Sequence, residues 1–149
     1  DSQTKVGCVI VGSPNIVVGV GYNGFCSGVK EDDLPTTRPG KYPFIVHAEA
    51  NAVYNAAKNG VTTLGSTCYV TATPCLNCLQ MLYQCGVKRI LFSDISDPKS
   101  EIYSDRYNKI LELVENKIEM SFIPKKYLDK DTLECVLKSL EKSDKPVDF

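Results

Sequence analysis

The sequence predicts an α/β protein, a three-layer α/β/α sandwich with a five-stranded mixed sheet. Two observations predict it. Short β-branched or aromatic runs alternate along the chain with segments of helical spacing, the pattern of strands and helices that share one sheet. Gly, Pro and Asn punctuate the junctions, so each run is a short element of its own. At 149 residues the chain is long enough for a real core, and 1–149 reads as a single domain with no internal repeat or linker.

Lys5 to Val11 is a β-branched run closed by the turn cluster Gly12-Ser13-Pro14-Asn15, and Ile16 to Tyr22 follows it. The two predict a hairpin. Asn23-Gly24 then lets the chain take positive φ and turn. From Phe25 to Tyr42 Gly, Pro, Asp and Thr dominate without period; a loop of that length is usually functional or disordered. His47 to Asn59 is Ala-rich and stopped by Gly60, a helix with a C-terminal signal. Thr67 to Thr73 is a strand ended by Pro74, and Cys75 to Cys85 a helix ended by Gly86. Arg89 to Ser93 is a short strand, Ser104 to Asn116 a helix with Ile110, Leu111, Leu113 and Val114 on its apolar side, and Ile118 to Ile123 the fifth strand. Thr132 to Lys142 reads as a terminal amphipathic helix.

Composition narrows the function. A hydrophobic fraction of 43% and a charged fraction of 23% are globular values. A net charge of -1 supplies no overall basic field for a nucleic-acid backbone, so a polynucleotide partner is disfavoured. No apolar run reaches the ~20 residues of a membrane span, and no signal peptide is visible. The chain starts at Asp1 rather than Met, so a preceding segment is expected to be missing. The 7 cysteines are an odd set for a secreted disulfide framework; with two assigned to metal, the rest read as reduced, and the expected compartment is cytoplasmic.

The chemistry concentrates in His47-Ala48-Glu49 and Pro74-Cys75-Leu76-Asn77-Cys78. One histidine and two cysteines at CxxC spacing suit zinc, and three protein ligands leave a fourth tetrahedral position open, as in catalytic sites. A zinc ion there acidifies water towards pKa ~7. Glu49 stands two residues beyond His47, placed to move protons without taking a metal position. His47 alone would be an ordinary polar residue, and the CxxC alone a redox or structural pair, but neither reading explains all four residues. The chain has 1 histidine, and no other cysteine pair stands at ligand spacing. The layout H-x-E followed by P-C-x-x-C is a signature of zinc-dependent nucleobase deaminases.

Around that motif the chain resembles the deoxycytidylate (dCMP) deaminases, within the cytidine deaminase-like superfamily. The resemblance covers about Lys5 to Asp94, more loosely to Pro124. It rests on Gly21-Tyr22-Asn23-Gly24, Lys41-Tyr42-Pro43, His47-Ala48-Glu49-Ala50-Asn51-Ala52 and Tyr69-Val70-Thr71 as well as the metal motif. It implies hydrolysis of dCMP to dUMP and ammonia, supplying thymidylate synthesis. One catalytic zinc would sit on His47, Cys75 and Cys78, with Glu49 as proton shuttle. The alternative is a zinc deaminase of another cytosine or adenine nucleoside, nucleotide, riboflavin precursor or tRNA; a non-catalytic zinc scaffold is the third reading, against which the intact Glu49 stands.

The resemblance also implies site residues. Asn23 would contact the deoxyribose, although it is equally a turn residue, and the Ala48 backbone the pyrimidine edge. Thr73 joins the substrate-binding set. Tyr107 (or Tyr103) is the candidate to close over the base or phosphate, equally readable as a partly exposed aromatic on a helix. Lys5 is a phosphate candidate whose default is solvated surface charge. Arg38 and Lys41 are further phosphate candidates whose default is solvated surface charge, and Lys58 complements the helix dipole. Members of the family are typically homohexamers activated by dCTP and inhibited by dTTP. Gly24, Ser27 and Gly28 are candidate backbone donors to such a triphosphate, with Asp32 or Asp33 holding Mg²⁺. Two departures stand out: the N-terminal helix of the family is missing, and Cys26 stands where members often carry Pro. With a single histidine, the second, structural zinc of some viral members is not expected.

Overall fold

The β-branched run at the start of the chain forms β1 (Gly7–Gly12), and its neighbour forms β2 (Ile16–Tyr22). The turn between them is closed by Asn15 N–H on the Gly12 carbonyl at 2.8 Å, with a cis Ser13-Pro14 bond and Asn15 at φ 69. The computed structural model describes residues 5–93 apart from 31, 33 and 38, together with residues 105, 108–110, 112 and 117–123. The remaining elements are α1 (Ala48–Lys58), β3 (Thr67–Val70), α2 (Leu76–Gln84), β4 (Arg89–Phe92) and β5 (Glu119–Phe122). A single-turn 3-10 helix, Tyr42–Phe44, closes the long loop.

The five strands make one mixed sheet in the order β2-β1-β3-β4-β5. β1 pairs antiparallel with β2 and β3, whereas β3, β4 and β5 run parallel. Parallel neighbours require crossovers, and α2 supplies the one between β3 and β4. The sheet, α1 and α2 are those predicted from the sequence. A register shift between Ile10 and Val11 makes Val18 the extra residue of a bulge in β2.

Strand alternation sets the two faces. Cys8, Ile10, Cys68, Val70 and Ile90 point to one face, where they form the core with Leu79 and Leu82 of α2, Val87 and Ile118. α1 joins that core through Ala48, Ala52 and Val53. Ala on α1 meets Gly on β2, so helix and strand approach closely: a Cβ on Gly19 would run into the Ala52 carbonyl, and one on Gly21 into Ala48 and Ala52 backbone. The opposite face carries Val9, Val20, Tyr69 and Leu91, which line, with Ile123, a hollow of about 290 Å³; Val20, Tyr22 and Tyr69 are exposed there.

α1 and α2 stop as the sequence signals. Gly60 (φ 67) and Gly86 (φ 81) sit in the left-handed region that only glycine enters freely. Each closes a Schellman turn: Val61 N–H reaches the Ala56 carbonyl and Gly60 N–H that of Ala57, and Val87 and Gly86 repeat the pattern on Leu82 and Tyr83.

Several boundaries differ from expectation, most by a residue at an element's end. β1 begins at Gly7 rather than Lys5. β3 ends at Val70 rather than Thr73, because it outruns its partner: Thr71 meets Gly7, the first residue of β1, by N–H to carbonyl and by Gly7 N–H to Oγ1, both at 3.0 Å. β5 is confined to Glu119–Phe122. Of the helix predicted at Ser104 to Asn116, residues 105, 108–110 and 112 are described and helical, and Ile110 packs on the core. The helix predicted at Thr132 to Lys142 lies outside the described residues.

Candidate functional site

The ends of α1 and α2 meet because both helices lie on one face of the sheet. His47 is the N-cap of α1 and Cys75 the N-cap of α2, and neither side chain caps its own helix. Ser, Thr, Asp or Asn is the usual choice there. Instead the two side chains turn to each other. His47 Nδ1 lies 3.5 Å from Cys75 Sγ and 3.5 Å from Cys78 Sγ. The three ligand atoms all lie within 4.8 Å of one another.

Those distances test the fit to a metal. Zinc–sulfur bonds of about 2.3 Å and zinc–nitrogen bonds of about 2.0–2.1 Å, held at a tetrahedral angle, separate N from S by about 3.6 Å. The structure gives the same separation twice. A two-thiolate, one-imidazole donor set is also the chemistry of zinc. The residues therefore fit a zinc ion with one position left for another ligand.

The electrostatics are those of a cation site. The Cys75 thiol is drawn down to about 4, chiefly by its hydrogen bond with Cys78 and also by His47. Cys78 is pushed up by the same bond, so the pair behaves as one thiolate sharing a proton. The His47 imidazole is shifted up by Cys75. Both cysteines stand in the first turn of α2, whose unpaired N–H groups favour negative charge. Glu49, in the first turn of α1, is 4% exposed, and burial pushes its carboxyl up. An acid-base group sequestered beside three convergent donors can move a proton between water and a bound ligand.

Other predicted residues are placed as follows. Ala48 is fully buried at the start of α1 and Thr73 half-buried just ahead of Pro74. Asn23 Oδ1 accepts from Val6 N–H at 2.8 Å while Asn23 N–H donates to the Val6 carbonyl at 3.1 Å, so this residue serves the turn at the end of β2. Lys5 is exposed. Lys41 departs from expectation: it is 2% exposed rather than a solvated surface charge. Gly24 donates to the Val46 carbonyl (3.1 Å) and accepts from Val46 N–H (2.8 Å), so its N–H is committed within the fold. Ser27, Gly28 and Asp32 are exposed, with Gly28 at φ 85. Tyr107, Tyr103, Arg38 and Asp33 lie outside the described residues.

Sequence reasoning missed Asn51 and Asn55. They stand one turn apart on α1 and donate through Nδ2 to the Tyr22 and Val20 carbonyls, each at 2.8 Å. Only the pairing of α1 with the edge strand reveals them. The free cysteines among the described residues include a buried pair, Cys8 and Cys68, with Sγ atoms 3.4 Å apart. No helix among the described residues is long and apolar enough to cross a membrane.

Comparison with known proteins agrees with this geometry. Residues 1–94 match the family model described as the cytidine and deoxycytidylate deaminase zinc-binding region. Deoxycytidylate deaminase of Homo sapiens is 40% identical over 98 residues, 62% of this chain and 54% of that protein. A probable deoxycytidylate deaminase of Caenorhabditis elegans is 45% identical over 101 residues, 65% of this chain and 50% of that protein. The chain thus spans about half the length of the curated relatives it matches. Among solved structures, the dCMP deaminase of cyanophage S-TIM5 in complex with dCMP and dUMP superposes with a TM-score of 0.60 at 28% identity, covering 81% of this chain and 82% of that one.

Proposed function

Because the chain belongs to the cytidine and deoxycytidylate deaminase zinc-binding family, we propose that it hydrolyses dCMP to dUMP and ammonia. One observation carries the reading: His47 Nδ1 stands at equal 3.5 Å distances from two thiol sulfurs, beside a buried Glu49. The relatives named above supply the substrate class.

His47 Nδ1, Cys75 Sγ and Cys78 Sγ are the residues that would hold zinc. When bound, the ion supplies Lewis acidity that makes water a nucleophile at neutral pH. Glu49 does the proton work: its carboxylate takes the proton of the attacking water, delivers it to N3 of the pyrimidine, and passes a proton to the departing C4 amine. By family resemblance the Ala48 backbone reads the pyrimidine edge and Asn23 contacts the deoxyribose, with Thr73, Lys5 and Tyr107 as the further substrate-binding residues. A phosphate gripped remotely from C4 orients the base and lowers the barrier through binding energy.

Feedback fits the same chemistry. An enzyme that draws down the deoxycytidine pool to supply thymidylate would be activated by dCTP and inhibited by dTTP, with Mg²⁺. The loop beyond Gly24, through Ser27, Gly28 and Asp32, is the segment that would receive the triphosphate. Family resemblance supports this, together with a hexameric assembly working in the cytoplasm. Sigmoidal dCMP kinetics made hyperbolic by dCTP would bear it out, whereas superimposable hyperbolic curves would leave the loop structural.

The test of the activity is ammonia release from dCMP, dCTP, cytidine, deoxycytidine and oligonucleotides, alongside zinc stoichiometry. Preference for dCMP with one zinc per chain is expected. Equal rates on an oligonucleotide would move the protein to another branch of the superfamily.

A further inference from the structure

Among the described residues β2 is an edge strand of the sheet, so its outward backbone groups need partners other than a strand described there. α1 provides two. Asn51 Nδ2 donates to the Tyr22 carbonyl and Asn55 Nδ2 to the Val20 carbonyl, both at 2.8 Å. The spacing is a geometric match. Four residues of helix advance about 6.0 Å and two residues of strand about 6.8 Å, so both amides engage together when helix and strand run antiparallel. Gly19 and Gly21 allow the approach, since a Cβ on either would meet α1 backbone.

The two clamps are alike in chemistry and unlike in position. Asn51 lies one turn into α1, its N–H on the His47 carbonyl at 2.9 Å. Its strand partner, Tyr22, immediately precedes Asn23. Asn55 sits a further turn away and holds Val20. The segment beyond Tyr22 is tied at two more points, Asn23 to Val6 and Gly24 to Val46, and Val46 immediately precedes His47. Asn51 thus links by a single side chain the helix turn carrying His47 and Glu49 to the strand end carrying Asn23.

We propose that Asn51 is a positioning residue, whose amide fixes the height of Asn23 against the turn of α1 that bears the metal ligand and the proton shuttle. The inference rests on the reading of this pocket as a dCMP site in which Asn23 faces the sugar. Asn51 need not touch substrate. It sets where the sugar-facing group stands relative to the reacting base, and a displacement of about 1 Å in such a constellation can cost on the order of a hundredfold in rate.

Comparison of Asn51→Ala with Asn55→Ala separates positioning from packing. Zinc content, thermal midpoint and dCMP kinetics are measured on wild type and both variants. Both are expected to bind one zinc and to lose thermal stability alike. Asn51→Ala is expected to lose on the order of ten- to hundredfold in kcat/KM, whereas Asn55→Ala keeps the wild-type value. In an Asn23→Ala background, Asn51→Ala should cost far less, because residues that act through one another give non-additive losses. Asn51→Ser, with a donor on a shorter arm, serves the same comparison if the alanine variant does not fold. Equal losses from the two asparagines, or additive losses in the Asn23 cycle, overturn the role while leaving the substrate reading standing. A zinc-replete wild type inert toward dCMP sinks the substrate reading, and this role with it.

Discussion

Gly21 lies so close to Ala48 that a Cβ on the glycine would meet the Ala48 carbonyl oxygen and the Ala52 nitrogen. The contact seats the first turn of α1, and with it His47 and Glu49, directly on β2. Neither obstructing atom belongs to a flexible side chain, so the helix itself must move to admit a methyl group. Gly21→Ala is therefore expected to destabilise the protein by about 1–3 kcal/mol, the usual cost of overpacking, and to weaken zinc retention. Thermal unfolding and zinc titration check this, and a variant with the wild-type midpoint and affinity would show that α1 is seated by other contacts.

Glu49→Gln should separate metal from chemistry. The amide has nearly the shape of the buried carboxyl but cannot accept the water proton. Zinc content should stay at the wild-type level while turnover falls by roughly 10²–10⁴-fold or more, since the proposed mechanism gives this residue more than one proton transfer. Near-normal turnover in a zinc-replete variant would remove Glu49 from the mechanism.

Cysteine substitutions should divide sharply. Cys75→Ser and Cys78→Ser are each expected to lose zinc and activity together, because each removes one of three convergent donors. Cys26→Ser, at an exposed thiol, should keep both. Elemental analysis of the purified variants decides it, and loss of zinc from Cys26→Ser would mean that the ligand set is different.

The metal site was legible because its chemistry resides in residue type. Histidine, glutamate and a CxxC pair carry the same meaning wherever the chain folds, and His47 and Cys75 converge because each is the N-cap of a helix packed on the same face of the sheet. β-Branched runs likewise announced β1 and β2, and Gly60 and Gly86 announced the ends of α1 and α2. Asn51 and Asn55 were not legible. Nothing in the local sequence distinguishes an asparagine that faces solvent from one that reaches an edge-strand carbonyl. Lys41 misled for a similar reason: lysine is almost always exposed, and its burial at 2% depends on how the long loop folds back. The end of β3 was set by where β1 begins, a fact of pairing rather than of Thr71, Ala72 or Thr73.

The substrate phosphate should matter more than the base alone. Charge-assisted hydrogen bonds to a phosphate are strong and act at a distance from C4, so dCMP should show a much higher kcat/KM than deoxycytidine. Steady-state kinetics on the pair settle it; equal values would place phosphate outside the recognised part of the substrate.

The most direct measurement is dCMP deamination followed while zinc is removed and restored. Chelation should abolish ammonia release, and zinc added back should restore it in proportion to occupancy, saturating at one ion per chain held by His47, Cys75 and Cys78. A protein that releases ammonia from dCMP at an unchanged rate after its zinc is gone, or that binds one zinc at these residues and deaminates no dCMP, would contradict that assignment.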